Sequence, residues 1–453
     1  MNAVCKLVQD NTQDGLMVQD DFHSFYDRYT RDTFKAPARI HRIDGWKIEY
    51  MAIAIPETMH RTPVVIIGGA FQNFNSYKYC VEQLLAAGPI ILIDLPSMGN
   101  NQQLENELTG QSAGELELPD LANYLGRWVG DMQLGKVSIM GMSLGSVVAS
   151  HFSEQFPERL DRLVLMGVMQ KTRKSWRMLL EESLHLLQED RMEEFGQAVV
   201  LYLINHARLA DTRMSPTAKR LFFRQMAEFA NTERLRYNIN CQRLLRLQNV
   251  PIPQCPTLVA AGEFDSFTLP FENAHFALQC PDMQFALIER ADHLPQLQRR
   301  KETMGLFATF LRNEDIATVG GIRPMSREQL NQLERRGQAR LHLRAPVRAM
   351  QHRHIAEMQP VVTVVDINFF GVLMDAGSNE AAAALIAEPR NLALHVGDLD
   401  GEPLAIECLI FEQQGNCVRA LFKHGSFDNA ERLNQLLASE AVVEFVAQTE
   451  TTS

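Results

Sequence analysis

Short apolar runs rich in β-branched residues alternate with longer amphipathic stretches over the first two-thirds of the chain. Six runs show no polar alternation, which is typical of parallel strands covered on both faces. They are residues 64–69, 90–94, 136–142, 162–168, 257–263 and 283–289. The stretches between them, such as 118–132, have the period of helices. This order predicts a layered α/β domain with a mostly parallel sheet.

Residues 171–245 break the alternation with a helical pattern rich in Leu and Met. The segment lies between two predicted strands, on the edge of the sheet where chemistry would take place. We therefore expect a helical lid. Extra packing helices that only bury their own core are an equally simple interpretation.

The pattern changes again after residue 315. Residues 316–326 are short, glycine-containing and unpatterned, so we interpret them as a linker. From 327 to 453 the chain carries strand-like runs with a hairpin turn at "QQGN" and a final helix from about Asp428. The prediction is an N-terminal α/β domain over 1–315, with the lid at 171–245, and a small β-rich domain over 327–453.

Composition and charge narrow the functional classes. A length of 453 residues favours two domains, and the net charge of −11 argues against general nucleic-acid affinity. The seven cysteines show no zinc-site spacing, which indicates reduced thiols and a cytoplasmic protein. The first residues lack the apolar core of a secretory signal, and no apolar run is long enough to span a bilayer. We expect no metal and no cofactor for catalysis.

The stretch "IMGMSLGS", residues 139–146, places Ser143 between two glycines after an apolar run. A serine hydroxyl becomes a useful nucleophile when a base takes its proton and a third group orients that base. A sharp strand-to-helix turn would expose the hydroxyl, and Gly141 and Gly145 would relieve the crowding of such a turn. The five-residue pattern alone is weak, because an ordinary tight turn also fits it.

Two later residues strengthen the interpretation of Ser143. Asp265 follows one predicted strand in "GEFDSF", and His293 follows the next in "ERADHLPQ". Open α/β sheets place their sites at the carboxyl ends of parallel strands. The order serine, acid, histidine is the one that this architecture requires. We predict a triad of Ser143, Asp265 and His293, and we regard Asp292 as wrongly placed to orient the histidine.

Acyl chemistry also needs donors for a developing oxyanion. The backbone N–H of Leu144, directly after the nucleophile, is one candidate. The second should come from the loop "GGAFQN", where we favour Ala70 over Phe71.

Residues 40–312 resemble the α/β-hydrolase family. "IIGGAF" stands where that family often has His-Gly and an apolar residue, and "DLPSMGNN" resembles its Asp-Leu-Pro-Gly-x-Gly stretch. Gly68 replaces the usual histidine and Ser97 a usual glycine, and neither departure removes a catalytic group. The Met-rich insertion also distantly resembles enzymes that join 3-hydroxyacyl chains into rhamnolipid precursors. The resemblance implies a serine esterase, thioesterase or acyltransferase that acts on a small-molecule acyl substrate.

Arginines cluster before and inside the second domain, in "ERRGQARLHLRAPVR". Guanidinium groups form bidentate hydrogen bonds with phosphates, stack on purines and pair with the O6/N7 edge of guanine. Further on, "VVDINFFG" offers Asp366, Asn368 and Gly371, which could hold the amino edge of guanine and allow close backbone approach. Together these features favour a compact guanine nucleotide. A solvated basic linker that faces the acidic first domain is the plainer interpretation.

Residues 326–437 resemble a PilZ domain, a small β-barrel whose family binds cyclic di-GMP in bacterial signalling. The family's RxxxR element corresponds to Arg340 and Arg344, with Arg336 a possible third arginine. Its Asp/Asn-x-Ser-x-x-Gly element corresponds to Asp366, Asn368 and Gly371, with asparagine where serine is usual. The resemblance implies that cyclic di-GMP is a regulatory ligand.

Two functions follow from these patterns. In the first, the chain is a serine hydrolase or acyltransferase whose activity cyclic di-GMP adjusts. In the second, the first domain is a non-catalytic scaffold and the protein is a cyclic di-GMP effector that acts through a protein partner. The natural acyl group, the choice between water and an alcohol as acceptor, the sign of regulation and the oligomeric state stay open.

Overall fold

The computed structural model describes residues 24–168, 170–335, 341–343, 348–351, 362–387, 389–390, 392–399, 402–438 and 442–444. The strands of the N-terminal domain are β1 Asp27–Arg28, β2 Arg39–Ile43, β3 Trp46–Ala54, β4 Val64–Ile67, β5 Ile90–Asp94, β6 Val137–Met142, β7 Leu160–Met166, β8 Thr257–Gly262, β9 Met283–Ile288 and β10 Ile322–Pro324. Its helices are α1 Phe74–Tyr77, α2 Val81–Leu84, α3 Leu118–Asp131, α4 Leu144–Gln155, α5 Lys174–Gln188, α6 Met192–Leu203, α7 Pro216–Ala227, α8 Asn231–Arg246, α9 Pro270–Ala277, α10 Pro295–Gln298, α11 Arg300–Leu311 and α12 Arg327–Asn331.

These strands form one mixed sheet in the order β1-β3-β5-β4-β6-β7-β8-β9-β10, with β2 paired to β3. The central strands from β5 to β9 run parallel, and β3 and β10 flank them in antiparallel orientation. Buried apolar residues form a separate core on each face of the sheet. Each of the six apolar runs coincides with one of the central strands, although β7 begins two residues before its run. The mostly parallel α/β sheet is confirmed.

The β2–β3 hairpin is an element that the apolar runs did not predict. Its turn is Asp44–Gly45, and both residues have positive φ, 49° and 83°. A two-residue Asp-Gly turn with positive φ at both positions matches the twist of a hairpin. The dipeptide between two apolar runs was therefore a usable signal.

Part of the expected linker belongs to the sheet. Residues Ile322–Pro324 pair with Ile288, Leu287 and Ala286 of β9 as an edge strand. The following helix α12 contributes the buried Leu330 to the core of the N-terminal domain. The described residues of this domain thus continue to 335, because the sheet edge accepts one more strand and its face one more helix.

Helices α5 to α8 lie between β7 and β8 and form the helical insertion that the sequence predicts. They have a core of their own, which includes Trp176, Phe195, Val200, Met226 and Tyr237. None of the described helices is long and apolar enough to cross a membrane.

The C-terminal domain contains β11 Leu341–Leu343, β12 Arg348–Gln351, β13 Thr363–Ile367, β14 Gly371–Asp375, α13 Asn379–Ala387, β15 Leu392–Leu399, β16 Glu402–Gln414, β17 Cys417–Phe422, α14 Phe427–Ala438 and β18 Val442–Glu444. Its sheet is antiparallel, in the order β12-β15-β16-β17-β14-β13-β11-β18. This curved set of strands is compatible with the small barrel that the sequence predicts.

The C-terminal domain packs on the helical insertion. Leu201 of α6 is fully buried within the core of the C-terminal domain. The Tyr202 hydroxyl donates a hydrogen bond to the carbonyl of Phe422, and His206 Nε2 pairs with Glu431 Oε2 at 3.0 Å. The insertion therefore lies between the two domains and is held by both.

Candidate active site

Ser143 lies at the turn between β6 and α4. Its φ of 49° and ψ of −116° fall in a region that non-glycine residues rarely adopt. Its backbone N–H donates to the Met166 carbonyl at 2.7 Å, which holds the turn against β7. Strain of this type persists only where the surroundings enforce it, and it is concentrated at functional sites.

The glycines on either side of Ser143 are required by the backbone. A Cβ on Gly141 would lie 2.6 Å from the carbonyl oxygen of Gly145, and a Cβ on Gly145 would lie 2.7 Å from that of Gly68. Real Cβ atoms do not come so close to backbone oxygens. The crowding that the sequence analysis expects at these two positions is present.

The structure brings Ser143, His293 and Asp265 together. Ser143 Oγ is 3.2 Å from His293 Nε2, and His293 Nδ1 is 2.9 Å from Asp265 Oδ2. An ionised carboxylate only accepts hydrogen bonds, so Nδ1 carries the proton and Nε2 is free to accept from the serine hydroxyl. The arrangement can thus move a proton from serine to histidine.

Asp265 is fixed on its loop by several donors. Its Oδ1 accepts from the backbone N–H groups of Phe267 and Thr268, each at 2.9 Å, and its Oδ2 accepts from Thr268 Oγ1 at 2.8 Å. Thr268 Oγ1 also lies 3.2 Å from His293 Nδ1. Thr268 is a positioning residue that the sequence analysis missed, although it follows the acid by only three residues.

Two opposing effects act on the histidine. Burial of the imidazole favours the neutral form and alone would lower the pKa of His293. The Asp265 carboxylate, by charge and by hydrogen bond, and the nearby Asp292 favour the protonated form. Their effect is larger, so the pKa of His293 lies above its usual value.

Asp292 has partners other than the imidazole. Its carboxylate accepts from the backbone N–H groups of Leu294 and Asn205 and from Gln298 Nε2. Burial raises the pKa of Asp292 to about 6. Since Asn205 belongs to the helical insertion, Asp292 ties that insertion to the loop that carries His293.

The two predicted oxyanion donors lie beside the serine. Leu144 is the first residue of α4, so its N–H has no acceptor within the helix. Ala70 and its alternative Phe71 lie in the loop after β4, and both line the same cavity as Ser143. Both chain segments therefore meet at the nucleophile.

A cavity of about 950 Å³ surrounds Ser143 and His293. Apolar residues of the insertion form much of its wall: Trp176, Leu179, Leu180, Leu186, Val199, Leu203, Leu221 and Phe222. Residues of the C-terminal domain, among them Ala405, Lys423 and Gly425, also line it. Small-molecule sites usually range from about 300 to 1,000 Å³, so this cavity is large.

A buried arginine anchors the insertion above the site. The Arg243 guanidinium donates to the carbonyls of Ala113 and Leu116, to Ser97 Oγ and to Asn240 Oδ1. Burial lowers the pKa of Arg243 to about 10. Ser97 has a positive φ of 61°, and its contact with Arg243 explains a serine where glycine would be easier.

The predicted nucleotide residues fall into two groups. Arg336, Arg340 and Arg344 lie outside the described residues. Asp366, Asn368 and Gly371 all line a second pocket, of about 230 Å³, at the boundary between the two domains.

Local contacts explain two of these residue types. Asn368 Oδ1 accepts from the backbone N–H groups of Phe370 and Gly371, at 2.9 and 3.0 Å, and so shapes the loop. A Cβ on Gly371 would lie 2.5 Å from the Ala420 carbonyl oxygen, so the neighbouring strand requires this glycine.

Comparisons with curated proteins find hydrolases. The chain is 27% identical over 110 residues to a poly(3-hydroxyalkanoate) depolymerase of Ectopseudomonas oleovorans, which is 24% of this chain and 36% of the depolymerase. It is 25% identical over 248 residues to a 2-hydroxy-6-oxononadienedioate/2-hydroxy-6-oxononatrienedioate hydrolase of Cupriavidus pinatubonensis, which is 53% of this chain and 81% of that hydrolase. The chain thus spans about a third of the depolymerase and most of the second relative.

Solved structures show the same fold. A thermophilic esterase from Thermogutta terrifontis aligns with a TM-score of 0.51 and 20% identity, over 61% of this chain and 99% of the esterase. The enol-lactonase from Burkholderia xenovorans aligns with a TM-score of 0.50 and 14% identity, over 60% of this chain and 99% of the lactonase. A family model described as alpha/beta hydrolase fold matches residues 62–299, just over half of the chain. The chain therefore belongs to the α/β-hydrolase fold family.

Proposed function

We propose that this protein is a serine hydrolase or acyltransferase that acts on an acyl ester or thioester. One observation carries the proposal: Ser143 Oγ lies 3.2 Å from His293 Nε2, on a strained turn that opens into a large cavity. Membership of the α/β-hydrolase family and the two hydrolase relatives support it.

The proposed reaction has two halves. Ser143 Oγ forms a bond to the acyl carbonyl carbon, while His293 Nε2 takes the serine proton and passes it to the departing alcohol or thiol. Water or an acceptor alcohol then attacks the acyl-enzyme. It gives its proton to His293, which returns a proton to Ser143 Oγ as the new acid or ester leaves. Asp265 orients the imidazole, and the N–H groups of Leu144 and Ala70 stabilise the oxyanion.

The test is ester turnover by the Ser143→Ala variant. We expect kcat to fall by at least three orders of magnitude, since removal of the nucleophile leaves only the catalysis of the oxyanion hole and binding. Ser150→Ala is the matched control. Ser150 is a buried serine of α4, the helix that follows Ser143, and its hydroxyl donates to the Ser146 carbonyl at 2.9 Å. Full turnover by Ser143→Ala would refute the proposal, whereas a wild type without ester turnover would favour the scaffold hypothesis.

We also propose that cyclic di-GMP binds the C-terminal domain through Asp366, Asn368 and Gly371 together with Arg336, Arg340 and Arg344. The pocket shared by the first three residues supports this. Its wall also includes Arg173 and Arg419, which pair with Glu272 and Glu412. At about 230 Å³ it would take only part of the ligand.

Titration calorimetry tests the nucleotide proposal. We expect heat from cyclic di-GMP with the wild type, little with Arg344→Ala, and none from GMP at the same concentration. A flat wild-type trace would refute it. Assays of ester turnover with and without the nucleotide then show the sign of any regulation.

A further inference from the structure

The wall of the cavity that contains Ser143 has an apolar part and a polar part. One part of the wall consists of aliphatic side chains of the helical insertion, with Leu180, Leu186, Val199 and Leu203 among them. A chain of methylene groups suits such a wall, because each buried CH₂ contributes favourably to binding.

The cavity wall is polar where the C-terminal domain meets helices α5 and α6 of the insertion. Lys423 Nζ lies 3.3 Å from both Glu182 Oε1 and Glu407 Oε2, and all three residues line the cavity. Arg191 and Glu194, an ion pair, also line it. An alkyl terminus placed against these groups would displace their water without forming hydrogen bonds, which disfavours its binding.

The C-terminal domain is held firmly in this position. Glu182 of α5 also pairs with Arg390, and its side chain is only 8% exposed. The backbone N–H of Phe427 donates to Gln197 Oε1 at 2.6 Å, and the ring of Phe427 packs against that of Phe223. These contacts make the second domain a fixed part of the cavity wall.

We infer that the C-terminal domain forms one end of the acyl-binding cavity, and that this end selects a long acyl chain whose far end carries a hydroxyl group. A hydroxyl can donate to Glu182 or Glu407 and accept from Lys423. A terminal carboxylate fits less well, since the nearby cations are already paired with carboxylates. The inference rests on the proposed function, because it identifies the substrate class of the same site.

The experiment blocks the cavity from the side of the C-terminal domain. Ala405 is exposed, lies on β16 and lines the cavity, so Ala405→Trp adds bulk there without altering a buried core. Ala384→Trp is the matched control, because Ala384 is an exposed residue of α13 that does not line the cavity. The substrates are p-nitrophenyl esters from 4 to 16 carbons, each long one with a methyl or a hydroxyl terminus.

The wild type and the Ala384→Trp control should prefer hydroxyl-terminated over methyl-terminated long esters by about tenfold in kcat/KM, the scale of one unmet buried hydrogen bond. Ala405→Trp should lower kcat/KM for long esters at least tenfold and leave the butyrate ester within about twofold. Each methylene group that the tryptophan excludes from the cavity should lower kcat/KM about fourfold.

Equal rates on the two termini in the wild type, or a chain-length profile unchanged by Ala405→Trp, would overturn the inference. Both results leave Ser143-dependent turnover intact. Failure of the proposed function would instead appear as turnover that survives Ser143→Ala.

Discussion

Two buried carboxylates lie next to His293, and the structure assigns them different tasks. In an Asp265→Asn variant, the amide oxygen should stay where Oδ1 accepts from the backbone N–H groups of Phe267 and Thr268. The amide NH₂ then faces His293 Nδ1 in place of Oδ2. Two donors cannot face each other, so the imidazole proton moves to Nε2. Nε2 can then no longer accept the proton of Ser143.

The expected loss in kcat is about 10⁴-fold, which corresponds to about 5.5 kcal/mol of transition-state stabilisation. KM should change little, because no cavity contact is removed. Asp292→Asn is the control: Asp292 accepts from Leu294, Asn205 and Gln298. That variant should keep kcat within about tenfold and lose about 1–3 kcal/mol of unfolding free energy.

Steady-state hydrolysis of p-nitrophenyl butyrate measures both variants, and thermal unfolding shows that each is folded. If Asp265→Asn keeps more than a tenth of the wild-type kcat, the orienting role of Asp265 is wrong. The same holds if Asp292→Asn loses as much activity as Asp265→Asn.

Three further outcomes are expected. Burial opposes protonation of His293 but the Asp265 charge outweighs it, and only neutral imidazole can act as base. The acid limb of kcat/KM should therefore have its midpoint above the ordinary imidazole pKa of about 6.5, with activity lost as the pH falls through it. A midpoint at or below that ordinary pKa would contradict this. Arg243→Met should lower the unfolding free energy by about 3–5 kcal/mol, because it leaves two buried carbonyl groups without a hydrogen-bond donor. A loss of under 1 kcal/mol in a urea titration would contradict the role of Arg243 in holding the insertion. Gly145→Ala places a Cβ within 2.7 Å of a backbone oxygen, so it should lower the melting temperature sharply. An unchanged melting temperature would show that the turn does not require glycine at this position.

The central site could be expected from the sequence because local rules fix its parts. The two glycines around Ser143 indicate the turn, and the strand order brings Asp265 and His293 to one edge of the sheet. Those rules act over a few residues or through strand order alone. The proximity of the three side chains therefore needed no knowledge of distant packing.

The remaining features depend on contacts between distant segments. The reason for a serine at position 97 is that its hydroxyl accepts a hydrogen bond from Arg243, which lies far along the chain on the helical insertion. Likewise, nothing near Glu182 indicates that Arg390 and Lys423 of another domain will neutralise its buried carboxylate. By contrast, the Asp44–Gly45 turn was local, and closer attention to it would have predicted the first hairpin.

The most direct test of the account is to map the adduct formed by an alkyl fluorophosphonate, which reacts with activated serine nucleophiles. The account predicts one phosphonyl group on Ser143 and loss of ester turnover in proportion to labelling. The Ser143→Ala variant should not be labelled, and the Asp265→Asn variant should be labelled more slowly than the wild type. Ester turnover that persists with Ser143 fully labelled, or an inhibitory adduct on another residue, would contradict it.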